Sequence, residues 1–285
     1  MTELGYRLAS LIVRRLPRRA SDAFVHAISD GYVFTHPRRA RAVDQNLAWI
    51  WSDTGCAGAP PRARDTYRAF ARALRDFLAP ESGSGGPSVR LSDSARAALE
   101  EARRSSRGAV LVSVHFGPWE RALQWLAGEL GGVEALAARH RLAAVDRFFV
   151  RQRERGGVRT LCSSRPVRSA LRSLESGVWI AALADRPRRD RCPRRGIVPI
   201  DRGPLLLARR AEALVLPGVS TFAVDGTLEI DFDTPFALGP GRDGIDVAQG
   251  IARLQRFFDA HVRAHPTQWF QWGATPGLGA PAPGT

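Results

Sequence analysis

The residues Ala109-Val110-Leu111-Val112-Ser113-Val114 form an apolar run that stops at His115, and the chain continues Phe116-Gly117-Pro118-Trp119-Glu120. No other junction limits the fold as tightly. An apolar run of this length and β-branched content reads as a buried strand. Gly117-Pro118 then breaks it. Proline pushes the residue before it out of the helical region, and it suits the first position of a new helix. His115 is therefore expected on the loop after a strand, with Glu120 in the first turn of the next helix. On an unbroken helix the two would lie about 140° apart. The turn removes that objection, so Glu120 is expected to fold back toward the imidazole from the helix end that favours carboxylates.

The rest of the chain repeats the strand-to-helix unit. Strands are expected at 109–114, 158–161, 178–184, 213–216 and 227–232. Helices are expected at 92–104 (capped by Ser92 or Asp93), from 118 onward, and at 166–176, 205–212 and 245–264. This alternation predicts an α/β fold, with a central mixed, mostly parallel sheet flanked by helices. Residues 1–80 read as a helical N-terminal region packed on the main domain and punctuated by Pro17, Pro37 and Pro60-Pro61. Residues 88–273 read as the α/β domain. The Gly/Ser stretch 81–87 and the Gly/Pro-rich tail 274–285 read as flexible. Ligands of such sheets gather at the carboxyl ends of strands. His115 is placed at one such end and Asp185 at another, which predicts a shared cleft; Asp185 is a polar group of that cleft or a helix cap.

A carboxylate on one imidazole nitrogen fixes the tautomer and stabilises the imidazolium, leaving the other nitrogen to take a proton from an alcohol. With His115 as base and Glu120 as its orienting acid, the chain reads as an enzyme that activates a substrate hydroxyl. The alternative is a purely structural histidine and glutamate. A tetrahedral oxyanion would need donors, either backbone N–H groups near Gly117 or an arginine.

The same residues resemble a known family. His115-Phe116-Gly117-Pro118-Trp119-Glu120 is similar to the His-x4-Asp/Glu block of the lysophospholipid acyltransferase superfamily. The closer likeness is to the branch of lipid A secondary (lauroyl/myristoyl) acyltransferases and phosphatidylinositol mannoside acyltransferases. Pro118 stands where that branch has asparagine. Leu16-Pro17-Arg18, Arg39 to Asn46-Leu47, Arg151 to Gly156, Ala170 to Asp185 and Pro266 to Trp272 resemble further blocks, with Arg186 in place of a glutamine and both phenylalanines missing near Ile200 to Pro204. The resemblance implies an O-acyltransferase. Its donor would be an acyl-CoA or acyl carrier protein thioester, and its acceptor a lipid or glycolipid hydroxyl such as that of a lysophospholipid. It implies neither metal nor redox cofactor. It also implies that Arg139 or Arg141 helps hold a phosphate or the donor. Asp185 and Arg186 are expected to line the substrate site with Gly117. A soluble secondary-metabolite acceptor, or a non-catalytic basic surface binder, are the alternatives.

Charge bears on the partner. The net charge is +14, and lysine is absent, so all 42 basic residues are arginine. The excess favours anionic membrane surfaces or phosphate-bearing donors. Nucleic acid is not expected, because no recognition motif accompanies the charge. No segment reaches the roughly 18 apolar residues of a spanning helix, and no N-terminal anchor is expected. Leu4, Leu8, Leu11 and Ile12 recur at helical spacing among arginines. They mark either an interfacial helix or a helix packed on its own domain. A cytoplasmic location, peripheral on the inner face of the cell membrane, is expected. The arginine run from Arg186 to Arg195 reads as a loop, either solvated or gripping an anionic partner. Cys56, Cys162 and Cys192 show no metal or disulfide pattern. Trp269 and Trp272 either pack under the sheet or line an acyl channel. His261, His265 and Asn46 read as structural.

Overall fold

The computed structural model describes residues 3–55, 57–79, 88–105, 108–161, 166–186, 196–223, 225–239 and 244–273. The three cysteines, the 81–87 loop, the tail from 274 and the arginine run beyond Arg186 lie outside the described residues.

Four helices come first: α1 (Glu3–Arg15), α2 (Arg18–Thr35), α3 (Pro37–Asp53) and α4 (Ala63–Leu78). They break at the prolines that mark the sequence, with Pro37 at the start of α3. α4 is the central post of the group, packing on the other three. Its last carbonyls lack intrahelical partners and are satisfied by neighbours. Ser10 Oγ and Arg14 Nε donate to Leu78 O at 3.0 and 3.1 Å, and Gln152 Nε2 donates to Phe77 O at 2.7 Å. These bonds fix α1 against α4.

The α/β part follows in the order β1 (Val89–Leu91), α5 (Asp93–Arg103), β2 (Ala109–Ser113), α6 (Trp119–Leu130), β3 (Val133–Leu136), α7 (Ala143–Glu154), β4 (Val158–Thr160), α8 (Pro166–Glu175), β5 (Ile180–Leu183), α9 (Gly203–Ala211), β6 (Leu214–Phe222), β7 (Leu228–Phe232), β8 (Ala237–Leu238), β9 (Gly244–Ile245) and α10 (Val247–Ala264). A 3-10 turn, Pro266–Gln268, follows α10. Seven strands form one sheet in the order β1-β7-β6-β2-β5-β3-β4. Every pairing in it is parallel except β6 with β7. This is the mixed, mostly parallel α/β sheet expected from the alternation.

β2 is central and buried on both faces. Val110 and Val112 pack with residues of α8, α9 and α10 such as Leu174, Ala208 and Phe258. Ala109 and Leu111 pack with residues of α5 and α6 such as Leu99 and Leu126. Alternate side chains of a strand point to opposite faces, so a continuous apolar run serves both layers.

Beyond the short strands β1, β8 and β9, which the periodicity does not mark, three elements differ from it. β3 is hidden in the sequence because Glu134 interrupts it; Glu134 is buried, ion-paired to Arg159 and bonded by Ser173 Oγ at 2.8 Å. α7 is obscured by its density of arginine. β6 runs through Pro217 to Phe222 rather than stopping at Leu216. Pro217 sits where the strand passes its ladder from β2 (Val112 opposite Pro217) to β7 (Gly218 opposite Phe232), so its missing N–H breaks no pairing there.

Arg75 is the most deeply buried described arginine. Its Nε donates to Asp76 Oδ1 at 2.8 Å and its Nη1 to Asp22 Oδ1 at 2.7 Å, joining α4 to α2. Removing one member of a buried ion pair strands the other. Arg75→Ala is expected to cost about 3–5 kcal/mol in urea unfolding. Arg90→Ala, at the exposed pair with Glu229, should leave the unfolding midpoint nearly unchanged.

Candidate active site

β2 and β5 run parallel with Ser113 opposite Leu183. Two residues past each strand, the same register sets His115 opposite Asp185. His115 Nδ1 lies 2.7 Å from Asp185 Oδ1, and the His115 backbone N–H donates to Asp185 Oδ2 at 3.0 Å. Trp269 Nε1 donates to the same Oδ2 at 3.3 Å. Asp185 is 3% exposed. Burial alone would raise its carboxyl, but the bonds from the His115 ring and backbone, with the charges of that ring and of Arg186, outweigh burial and hold it below the usual carboxylate range. A carboxylate fixed on Nδ1 leaves Nε2 to face a substrate. The His115 side chain is 19% exposed and stacks edge-on with Trp119 at 5.5 Å.

Glu120 stands elsewhere. It is in the first turn of α6, but its carboxylate points to α7, where Arg153 Nε reaches both oxygens at 3.1 and 3.0 Å. The expectation that Glu120 folds back onto the imidazole is therefore corrected: the acid on His115 is Asp185. The physical reason is the sheet. Parallel register delivers a carboxylate to Nδ1, whereas the start of α6 turns Glu120 toward a guanidinium that neutralises it. Arg153 does not stand out in the sequence, where it lies among Arg147 and Arg151 of the same helix and Arg155 just after it.

Gly117 has φ +53°, and a Cβ there would come within 1.9 Å of Ser220 O. Only glycine fits this turn. Its N–H donates to Gln268 O at 2.8 Å, so of the backbone donors in this turn that one is already engaged. The closing segment laces the loop further: Phe270 N–H donates to His115 O at 2.8 Å, and Phe222 N–H donates to Gln268 Oε1 at 2.9 Å. Trp269 is thus buried against Asp185, while Trp272 lines the cleft.

The cleft has a volume of about 580 Å³ and its walls include His115, Trp119, Glu120, Arg139, Arg153 and Arg186. Arg141 is exposed and is not among its lining residues. Three arginines against one carboxylate make the cleft electropositive, and Phe70, Phe149 and Phe270 make its floor apolar. Elsewhere, Asn46 Nδ2 donates to Gly273 O at 2.8 Å. His261 Nε2 lies 3.1 Å from Asp231 Oδ2, a carboxylate partner that the sequence did not single out. Among the described residues no group of three or more His, Cys, Asp or Glu side chains is placed to hold a metal ion.

An acid-backed imidazole thus stands at the carboxyl edge of a mostly parallel sheet, beside an apolar and cationic cleft, an arrangement able to accept a proton from a hydroxyl or thiol. The chain belongs to the bacterial lipid A biosynthesis acyltransferase family, whose model matches residues 5–272. Among solved structures it is similar to the crystal structure of the 1-acyl-sn-glycerophosphate (LPA) acyltransferase PlsC from Thermotoga maritima, at 11% identity and a TM-score of 0.42, covering 87% of this chain and 100% of that one. No curated protein matches the chain in sequence.

Two outcomes check this geometry. Gly117→Ala should destabilise the protein by more than about 1 kcal/mol, because the new Cβ meets backbone in a left-handed turn; thermal unfolding reads this. Asp185 has its folded pKa lowered, so the stability it adds is present above its unfolded value of about 3.9 and is lost as pH falls through the folded one. The acid limb of a pH–stability curve should flatten in Asp185→Asn.

Proposed function

We propose that this protein transfers a fatty acyl group from an acyl-CoA or acyl carrier protein thioester to a hydroxyl of a glycolipid or lysophospholipid. The 2.7 Å contact between His115 Nδ1 and Asp185 carries the reading, and membership of the acyltransferase family supports it. His115 Nε2 takes the acceptor's hydroxyl proton as the oxygen attacks the thioester carbonyl. The C–O bond forms, the tetrahedral oxyanion collapses, the C–S bond breaks, and the thiolate leaves with the proton returned by His115. Asp185 holds the tautomer and offsets the imidazolium charge. With the Gly117 N–H engaged, a cleft arginine serves the oxyanion, and Arg139, Arg153 and Arg186 attract the phosphates of donor and acceptor. Glu120 acts by placing Arg153. These steps call on side chains alone.

We further place the protein at the inner face of the cell membrane, bound through α1. Among the described residues no helix is long and apolar enough to cross a membrane. Tyr6, Ala9 and Val13 of α1 face the protein, while Leu4, Leu8 and Leu11 on the other side are 75, 56 and 55% exposed. Arg7 and Arg15 flank that outer stripe. A helix apolar on both sides needs two partners, and an anionic bilayer suits the outer one.

With labelled acyl donor and lipid acceptor, His115→Ala should abolish turnover while leaving the unfolding transition in place. Asp185→Asn should lower kcat by about three to four orders of magnitude, the scale of the same change in a serine-protease triad, and Glu120→Gln by clearly less. Equal activity of His115→Ala and the parent would end the reading. In flotation with phosphatidylglycerol vesicles, changing Leu4, Leu8 and Leu11 together to serine should release the protein without altering its thermal midpoint.

A further inference from the structure

The transfer reaction leaves a large space unassigned. A cavity of about 690 Å³ lies inside the N-terminal helices, between α1, α2 and α4. Ala9, Val25, Ile28 and Ala71 are among its lining residues. Its size is that of a ligand site, and apolar walls hold water poorly.

This cavity adjoins the cleft. Tyr6, Phe70, Leu74 and Trp272 line both spaces. A continuous file of rings leads from the imidazole into it: His115 to Trp119 at 5.5 Å, Trp119 to Phe270 at 5.7 Å, Phe270 to Trp272 at 5.9 Å and Trp272 to Tyr67 at 4.7 Å. At its outer side Ile28 lines the cavity and is itself 51% exposed. The space thus extends from walls it shares with the cleft to the exposed Ile28 on α2. The apolar slot beneath α6, by contrast, has a volume of about 80 Å³, with Ser113 and Trp119 among its lining residues.

We infer that the helix cavity holds the hydrocarbon tail of the acceptor lipid while its hydroxyl lies at His115. The inference rests on the acyl-transfer reading above and names where that site grips its acceptor. A tail drawn from a bilayer needs an apolar space that reaches from the catalytic cleft toward exposed apolar side chains, here Ile28 of α2, with Leu4, Leu8 and Leu11 exposed on α1. The electropositive cleft then meets the headgroup as the tail slides between α1 and α2.

Photo-cross-linking tests this with a diazirine-tailed lysophospholipid in phosphatidylglycerol vesicles, and in parallel a diazirine-tailed acyl-CoA. The lysophospholipid should label peptides of α2 around Val25 and Ile28 and of α4 around Phe70 and Leu74, in both the parent protein and His115→Ala. Labelling should fall about tenfold or more, a change of about 1.4 kcal/mol, in Ala71→Trp and in Ala9→Trp, whose indoles fill the cavity. In both variants KM should rise for long-chain acceptors and stay unchanged for short-chain ones and across donor chain lengths. Labels mapping to other elements, labelling untouched by both tryptophan variants, or labelling of these peptides by the acyl-CoA probe instead would overturn the inference. If the labels fall as expected but no transfer occurs with any donor, the tail site stands and the acyl-transfer reading fails.

Discussion

The parallel pairing of β2 with β5 is the constraint on which the site depends. Hydrogen bonds between the two strands set Ser113 beside Leu183, and the same offset carried two residues further sets an imidazole beside a carboxylate. A slip of one residue would send every β2 side chain to the other face of the sheet. The apolar packing on both faces forbids that slip, so core burial fixes the position of His115 as firmly as any contact within the cleft.

The second determinant is the segment from Pro266 to Trp272. Its backbone and the side chains of Gln268 and Trp269 bond to Gly117, His115, Phe222 and Asp185. Gly273, just beyond it, accepts from Asn46 of α3. One strap thus joins the loop of His115 to the N-terminal helices. The helical region is consequently part of the cleft's wall: α4 supplies Phe70 and Leu74 to the space that also contains His115. The orphan carbonyls at the end of α4 bring in α1 and α7 for the same reason that any buried polar group needs a partner.

Arginine performs several distinct tasks in this chain. At Arg75 and Arg153 the guanidinium fork closes on carboxylates away from water, giving directional bonds that a lysine would not match. At Arg139 and Arg186 it stands exposed at the cleft, where its charge adds to the positive field of that space. Asp185 sits within that field and keeps its charge despite burial.

Local chemistry alone made the α/β alternation, the central strand at 109–114, the break at Gly117-Pro118 and the histidine at a strand end legible in the sequence. Each follows from apolar periodicity or from backbone restrictions on glycine and proline. The partner of that histidine was not legible. Glu120 is five residues away in sequence, yet its side chain belongs to Arg153; Asp185 is seventy residues away and belongs to His115. Likewise β3 was concealed by Glu134, whose burial is permitted only by Arg159 and Ser173 from other elements. The sequence decided which segments could be strands and helices, because those preferences act over a few residues. Which carboxylate meets which cation or imidazole was decided by strand register and helix packing, which join residues far apart in the chain.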